Sequence, residues 1–163
     1  MQGTLNRFLE QVARKGSWFG GGSAAALGAA LSAALLEKLT TTTAGVRALR
    51  VIRRDCVRLI EQDAVRFAKV IEATRAGNRA MFRRSLKTAT DVPCRVCEHA
   101  QAIQAACRRA QRSVKVQFQS DLRCARALAQ AAETSARALI DTNLTWLNDP
   151  AYTKTIHHRI QST

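Results

Sequence analysis

The chain has 163 residues, 47% of them hydrophobic and 23% charged, which suits one domain with a sizeable core and argues against disorder. Twenty-six Lys and Arg outnumber twelve Asp and Glu, and the net charge of +14 predicts attraction to an anion: RNA, an acidic membrane surface, an acidic partner or a polyanionic small substrate. Aromatic residues make up only 5%, so a base-stacking RNA platform is disfavoured, while simple phosphate binding stays open.

In chain order, the first element is a short helix over residues 4–14, with Leu5, Phe8, Leu9 and Val12 on one face. Residues 16–22 break it. Ser23 is placed to cap a second helix, rich in Ala, Gly and Ser, that runs to about Thr40. A long amphipathic pattern follows, from Val46 through Leu49, Ile52, Cys56, Leu59 and Phe67 to Ile71, and the Gly77-Asn78 pair stops it. A fourth helix is expected over 79–88. Thr90-Asp91-Val92-Pro93 reads as the start of a fifth, reaching about Arg112. Val114, Val116 and Phe118 alternate like a strand, but one strand has no partner here, so an extended connector is expected. Ser120-Asp121 opens a sixth helix to Trp146, and Asn148-Asp149-Pro150 ends it and begins the last. The expected fold is all-α: a single-domain helical bundle of about six to seven helices over residues 1–163, without repeat or linker.

Five cysteines, odd in number and spread through helical patterns, do not resemble a secreted disulfide frame, and a cytoplasmic or other reducing compartment is expected. No run reads as long and apolar enough to span a bilayer, so no membrane partner is expected. Residues 23–36 are rich in Ala, Gly and Ser, and Glu37 and Lys38 close them. Cys94 and Cys97 have the CxxC spacing, but no second pair supplies the remaining zinc ligands and no strand precedes them as in redox motifs. Buried small residues on a helix are the better reading. His157-His158 are neighbours that point apart on a helix, so they make a poor metal pair. No metal site is expected.

Gly20-Gly21-Gly22-Ser23 raises a sharper question, because three glycines make room for something: a phosphate, a second helix or a flat ligand. No Lys-Ser/Thr follows as in a P-loop, and no strand precedes as in a dinucleotide fingerprint. A flexible linker rarely runs into a close-packing helix, so a functional loop is the preferred reading. Asp63, in "EQDAVRF", lies toward the apolar side of the long helix. A carboxylate there is either a salt-bridged structural residue or a group that holds a cationic or N–H-rich ligand. Asp121 is by default a helix cap.

These pieces together resemble the formimidoyltetrahydrofolate cyclodeaminase and methenyltetrahydrofolate cyclohydrolase family, which also forms the C-terminal domain of formiminotransferase-cyclodeaminase. "SWFGGGSAAALGAALSAALLEKLT" is similar to the family's glycine loop and alanine-rich helix. "EQDAVRF", "VPCRV", "QSDLRCARALAQAAETSARALIDTNL" and "NDPAYTKTIHHRI" resemble its later segments, so the likeness covers nearly the whole chain. There are departures. Phe19 stands where the family has proline, Ala132 and Ser135 where it has glycines, Leu139 where it has asparagine, and Arg47 and Arg50 near its lysine-rich stretch.

The resemblance implies an all-helical homodimer acting on tetrahydrofolate that carries a one-carbon unit, with no metal or redox cofactor. The reaction is cyclisation of 5-formimidoyl-tetrahydrofolate with release of ammonia, or hydrolysis of 5,10-methenyl-tetrahydrofolate. It implies Asp63 as the catalytic residue. It implies Gly20, Gly21, Gly22 and Ser23 as the ligand loop, with Asp121 and Asn143 as further substrate contacts. The departures and the basic charge carry a second reading: a family member without the chemistry, acting as a basic helical binding or assembly subunit that could associate with RNA.

Overall fold

A computed structural model describes residues 2–161. The described residues form six α-helices: α1 (Gln2–Ala13), α2 (Gly21–Leu39), α3 (Thr43–Arg75), α4 (Arg79–Ala110), α5 (Gln119–Leu147) and α6 (Pro150–Gln161). No strand occurs among the described residues. Side-chain pairs fix the topology. Ser23 meets Ile60 and Asp63, while Glu37 meets Arg50 and Arg53, so α2 and α3 run antiparallel. Ser32 Oγ donates to the Ala125 carbonyl at 2.6 Å and Lys38 pairs with Asp121, so α2 and α5 are antiparallel too. Arg66 with Asp91 and Asp55 with Arg95 set α3 against α4, and Gln101 and Gln104 with Glu133 set α4 against α5. The result is an up-down-up-down four-helix bundle.

The alanine-rich sequence makes α2 the central helix. Ala26, Ala29, Ala33 and Leu36 are fully buried, and small side chains let α5 come close. By length and mean hydropathy (1.2), α2 could cross a membrane, which corrects the expectation that no run qualifies. Half of that span is buried in the bundle, and buried Ser23 and Ser32 bond to neighbouring helices there. α2 is therefore accounted for as a core helix.

α3 is 33 residues long, about 50 Å, and α2 is 19, about 28 Å. The overhanging ends of α3, α4 and α5 enclose a second, smaller core of Val70, Leu86, Ala89 and Leu147, with Phe82 and Tyr152 packed against it. α6 closes this end. Its start follows the expected chemistry: Asp149 Oδ1 accepts from the Tyr152 N–H, and Pro150 opens the first turn. Arg159 fastens α6 to α4, donating to Asp91 at 2.8 Å and to Glu98 at 2.5 Å.

Three local expectations are corrected. The helices expected at 79–88 and from Thr90 onward are one helix, α4, which continues through Pro93. Proline removes the bond to the Ala89 carbonyl. The turn is instead held by its packing, with Val92, Pro93, Cys94 and Val96 all buried in the bundle. Asp91, read as part of a helix start, instead bridges Arg66 and Arg159. Residues 116–118 form a single 3₁₀ turn rather than an extended connector. Finally, α2 starts at Gly21 with Gly20 as its cap, so Ser23 lies inside the first turn and its hydroxyl bonds across to α3.

The interhelical ion pairs make the bundle acid-sensitive. Burial opposes ionisation of Asp91, but Arg159 and Arg66 outweigh it and hold its pKa below the ordinary range. Burial likewise opposes Asp55 and Glu133. His99 and Arg95 lower the first, and Gln101, Arg137 and Gln104 lower the second. A depressed carboxyl pKa contributes stability above its unfolded value that is lost as pH falls through the folded value. Urea unfolding at a series of pH values should show the midpoint dropping below about pH 4. An Arg159→Met variant should show a shallower drop there.

Candidate active site

The N-terminus of α2 abuts the middle of α3, and Asp63 is the contact. No side chain of the preceding loop caps α2. The Asp63 carboxylate does so from α3, receiving the Ser23 N–H, with the Ser23 hydroxyl 3.0 Å from Oδ2. Gly22 permits this approach. A Cβ on Gly22 would overlap the carboxylate, with Oδ2 at 2.7 Å. The other two glycines are not constrained in this way. A Cβ on Gly20 meets nothing within 4 Å, and one on Gly21 touches Leu139 at an ordinary 3.7 Å. The three glycines therefore have unequal roles, and the room made is first of all for a carboxylate of the same chain.

Burial pushes the Asp63 pKa above the ordinary carboxylate range, and the hydrogen bonds from Ser23 only partly offset that. Ser23 Oγ also lies 2.9 Å from the Ile60 carbonyl. Its single proton serves one acceptor at a time. When Asp63 is ionised, Ser23 can donate to it. When Asp63 is protonated, its O–H can donate to Oγ, and Oγ then donates to Ile60. The pair accommodates both protonation states without moving the backbone, which suits a group that takes and returns a proton.

On the other side of Gly21 a cavity of 440 Å³ opens between α2 and α5, lined by Gly21, Ala24, Gly28, Ser135, Leu139 and Thr142, among others. The departures Ala132, Ser135 and Leu139 all line it, so they shape one wall next to the glycine loop. Asn143 lies one helical turn beyond Leu139 on α5, near the same end of α2. Asp121 does not join them. It is 22 residues from Asn143 along α5, about 33 Å, and pairs with Lys38 at the far end of α2. The structure thus brings Gly20, Gly21, Gly22, Ser23, Asp63 and Asn143 to one region and separates Asp121 from it.

Phe19, in place of the family's proline, still leaves the loop held. Its N–H, which proline would lack, donates to Ser17 Oγ at 3.2 Å. Its ring stands edge-on to Phe8 with centroids 6.0 Å apart, tying α1 to the loop. Cys94 and Cys97 are fully buried on α4, and burial pushes their thiols up to about 12 and about 11. They are inert core residues, as expected. Among the described residues no three His, Cys, Asp or Glu side chains gather as a metal site. Sequence reasoning missed the contact of Asp63 with Gly22. The available signal was the register of two antiparallel helices, which the sequence does not state.

The fold agrees with the comparisons. The sequence profile of the formiminotransferase-cyclodeaminase family matches residues 4–162, and the chain belongs to that family. A methenyltetrahydrofolate cyclohydrolase of Methylorubrum extorquens is 31% identical over an alignment covering 58% of each protein, so this chain spans 58% of that relative's length. A formiminotetrahydrofolate cyclodeaminase from Thermotoga maritima superposes with a TM-score of 0.89 at 20% identity, over 97% of this chain and 86% of the other. That likeness extends the shared fold across nearly the whole chain.

Proposed function

We propose that the chain is a folate one-carbon enzyme, hydrolysing 5,10-methenyl-tetrahydrofolate, with Asp63 as the acid/base residue. The observation that carries this reading is the half-buried carboxylate of raised pKa, held against Gly22 and paired with a hydroxyl that tolerates both of its protonation states. Methenyl ring opening needs water brought to the one-carbon centre and a proton moved to the departing nitrogen. Asp63 supplies the proton transfer. Gly20, Gly21, Gly22 and Ser23 supply the loop against which the substrate is aligned, and Asn143 supplies a polar contact on the α5 side. No cofactor takes part in this scheme. The cyclohydrolase of M. extorquens favours hydrolysis over cyclodeamination. Its name enters here as support for a class of substrate.

A homodimer belongs to the same proposal. Leu31 on α2 is about half exposed, one helical turn from Gly28 in the wall of the small-residue cavity between α2 and α5. A second copy over this face would cover it. The five unpaired cysteines fit a reducing compartment. The test supplies 5,10-methenyl-tetrahydrofolate and 5-formimidoyl-tetrahydrofolate separately, following ring opening by absorbance and ammonia release by a coupled assay. Catalysed loss of the methenyl absorbance is the expected result. Ammonia release alone would replace hydrolysis with cyclodeamination, and inactivity on both would end the folate reading.

A further inference from the structure

The basic charge of this chain is not spread evenly. Residues 37–54 and 108–126 come together where α2 and α4 finish and α3 and α5 begin. They contain eleven Lys and Arg and two acids, Glu37 and Asp121, so nine of the fourteen surplus charges sit at one end of the bundle. Both acids are already engaged, Glu37 by Arg50 and Arg53 at 2.9 Å and Asp121 by Lys38 at 3.1 Å. The next acid along the chain, Asp55, is held by Arg95 and His99 on α4. Arg108, Arg109, Arg112, Lys115, Arg123 and Arg126 have no ion pair among the described residues.

We propose that this end of the bundle docks the phosphate backbone of a nucleic-acid duplex. Nine of the eleven cations are arginines, whose planar fork fits phosphate oxygens two at a time. All but Arg112 stand on the packed ends of α3, α4 and α5, so their backbone positions are set before a ligand arrives. The one aromatic ring at this end, Phe118, is half-buried with Lys38 Nζ 5.9 Å from its centroid. Nothing here offers a stacking surface for unpaired bases, which favours a duplex read by its backbone over a single strand. Lys38 is 16 residues from Gly22 along α2, about 24 Å, so this surface is separate from Asp63 and needs nothing from the folate reading.

Fluorescence anisotropy with labelled 20-base-pair RNA and DNA duplexes tests the proposal. The tighter of the two arms identifies the natural ligand. Binding should weaken steeply with salt, with a log–log slope of about −4 to −6. The triple variant Arg108→Gln, Arg109→Gln, Arg112→Gln should lose at least ~10-fold in affinity and flatten the slope by about 2–3. A charge-matched triple at the other end, Arg75→Gln, Arg79→Gln, Arg84→Gln, should stay within about threefold of wild type. Thermal melts check that both triples fold. Absence of binding at about 50 mM salt would overturn the proposal. So would equal losses in the two triples, or displacement of the duplex by poly-L-glutamate at equal charge concentration.

Discussion

Gly22→Ala should be the most damaging single-methyl change in the glycine run. The added Cβ cannot coexist with the Asp63 carboxylate, whose Cγ would lie 2.5 Å away. Asp63 sits on a long packed helix and α2 is the centre of the core, so neither gives way easily. Either the carboxylate leaves its cap position or the start of α2 shifts. Overpacking of this kind costs about 1–3 kcal/mol. For a chain of this size, at about 2–4 °C per kcal/mol, that lowers the melting temperature by roughly 2–12 °C. Activity should fall further than stability, because the displaced group is the one assigned to proton transfer. Gly20→Ala and Gly21→Ala are the internal controls. Their Cβ atoms meet open space or an ordinary contact with Leu139, and both variants should melt within about 2 °C of wild type. Equal damage at all three positions would mean that the loop needs flexibility rather than room for Asp63.

The second large effect concerns Asp63 itself. Its folded pKa is raised by burial, so between the unfolded and folded values the native state holds the proton more tightly. Native stability contributed by this group is therefore greatest below the unfolded pKa. It declines as pH rises through the window up to the folded pKa and is constant above it. Asn at this position keeps an acceptor for the Ser23 N–H and does not titrate. Asp63→Asn should accordingly be at least as stable as wild type at neutral pH. Its advantage should grow as pH rises above about 4, the unfolded value, as urea midpoints measured on both proteins would show. The acid loss caused by Asp55, Asp91 and Glu133 is common to the two proteins and cancels in the difference. A wild type that gains on the variant as pH rises would mean that Asp63 is stabilised as a carboxylate, and the burial argument would fail.

Much of the bundle was legible because helix periodicity and punctuation are local. Gly77-Asn78 ends α3 as expected, with Gly77 at φ +63° and Asn78 capping α4 through the Met81 N–H. Asp149 and Pro150 begin α6. Pro93 misled because local chemistry favours a helix start there. The helix continues because Val92, Pro93, Cys94 and Val96 are packed into the bundle, and that is tertiary information. The site divides in the same way. Asp63 on an apolar edge and GGGS before a small-residue helix could each be picked out in the chain. Their meeting depends on the register of α2 against α3, set by many packed contacts. Asp121 was grouped with the site by family resemblance, and its pairing with Lys38 places it at the opposite end of α2.

The most direct test of the account is the rate of 5,10-methenyl-tetrahydrofolate hydrolysis by wild type and by Asp63→Asn, each shown to be folded by its melting curve. Asparagine keeps the cap on α2 and removes only the capacity to carry a proton, so it separates a structural carboxylate from a catalytic one. The account predicts acceleration by wild type and a loss of at least ~100-fold in the variant, with the fold intact. Equal rates in the two proteins would reduce Asp63 to a helix cap and contradict it.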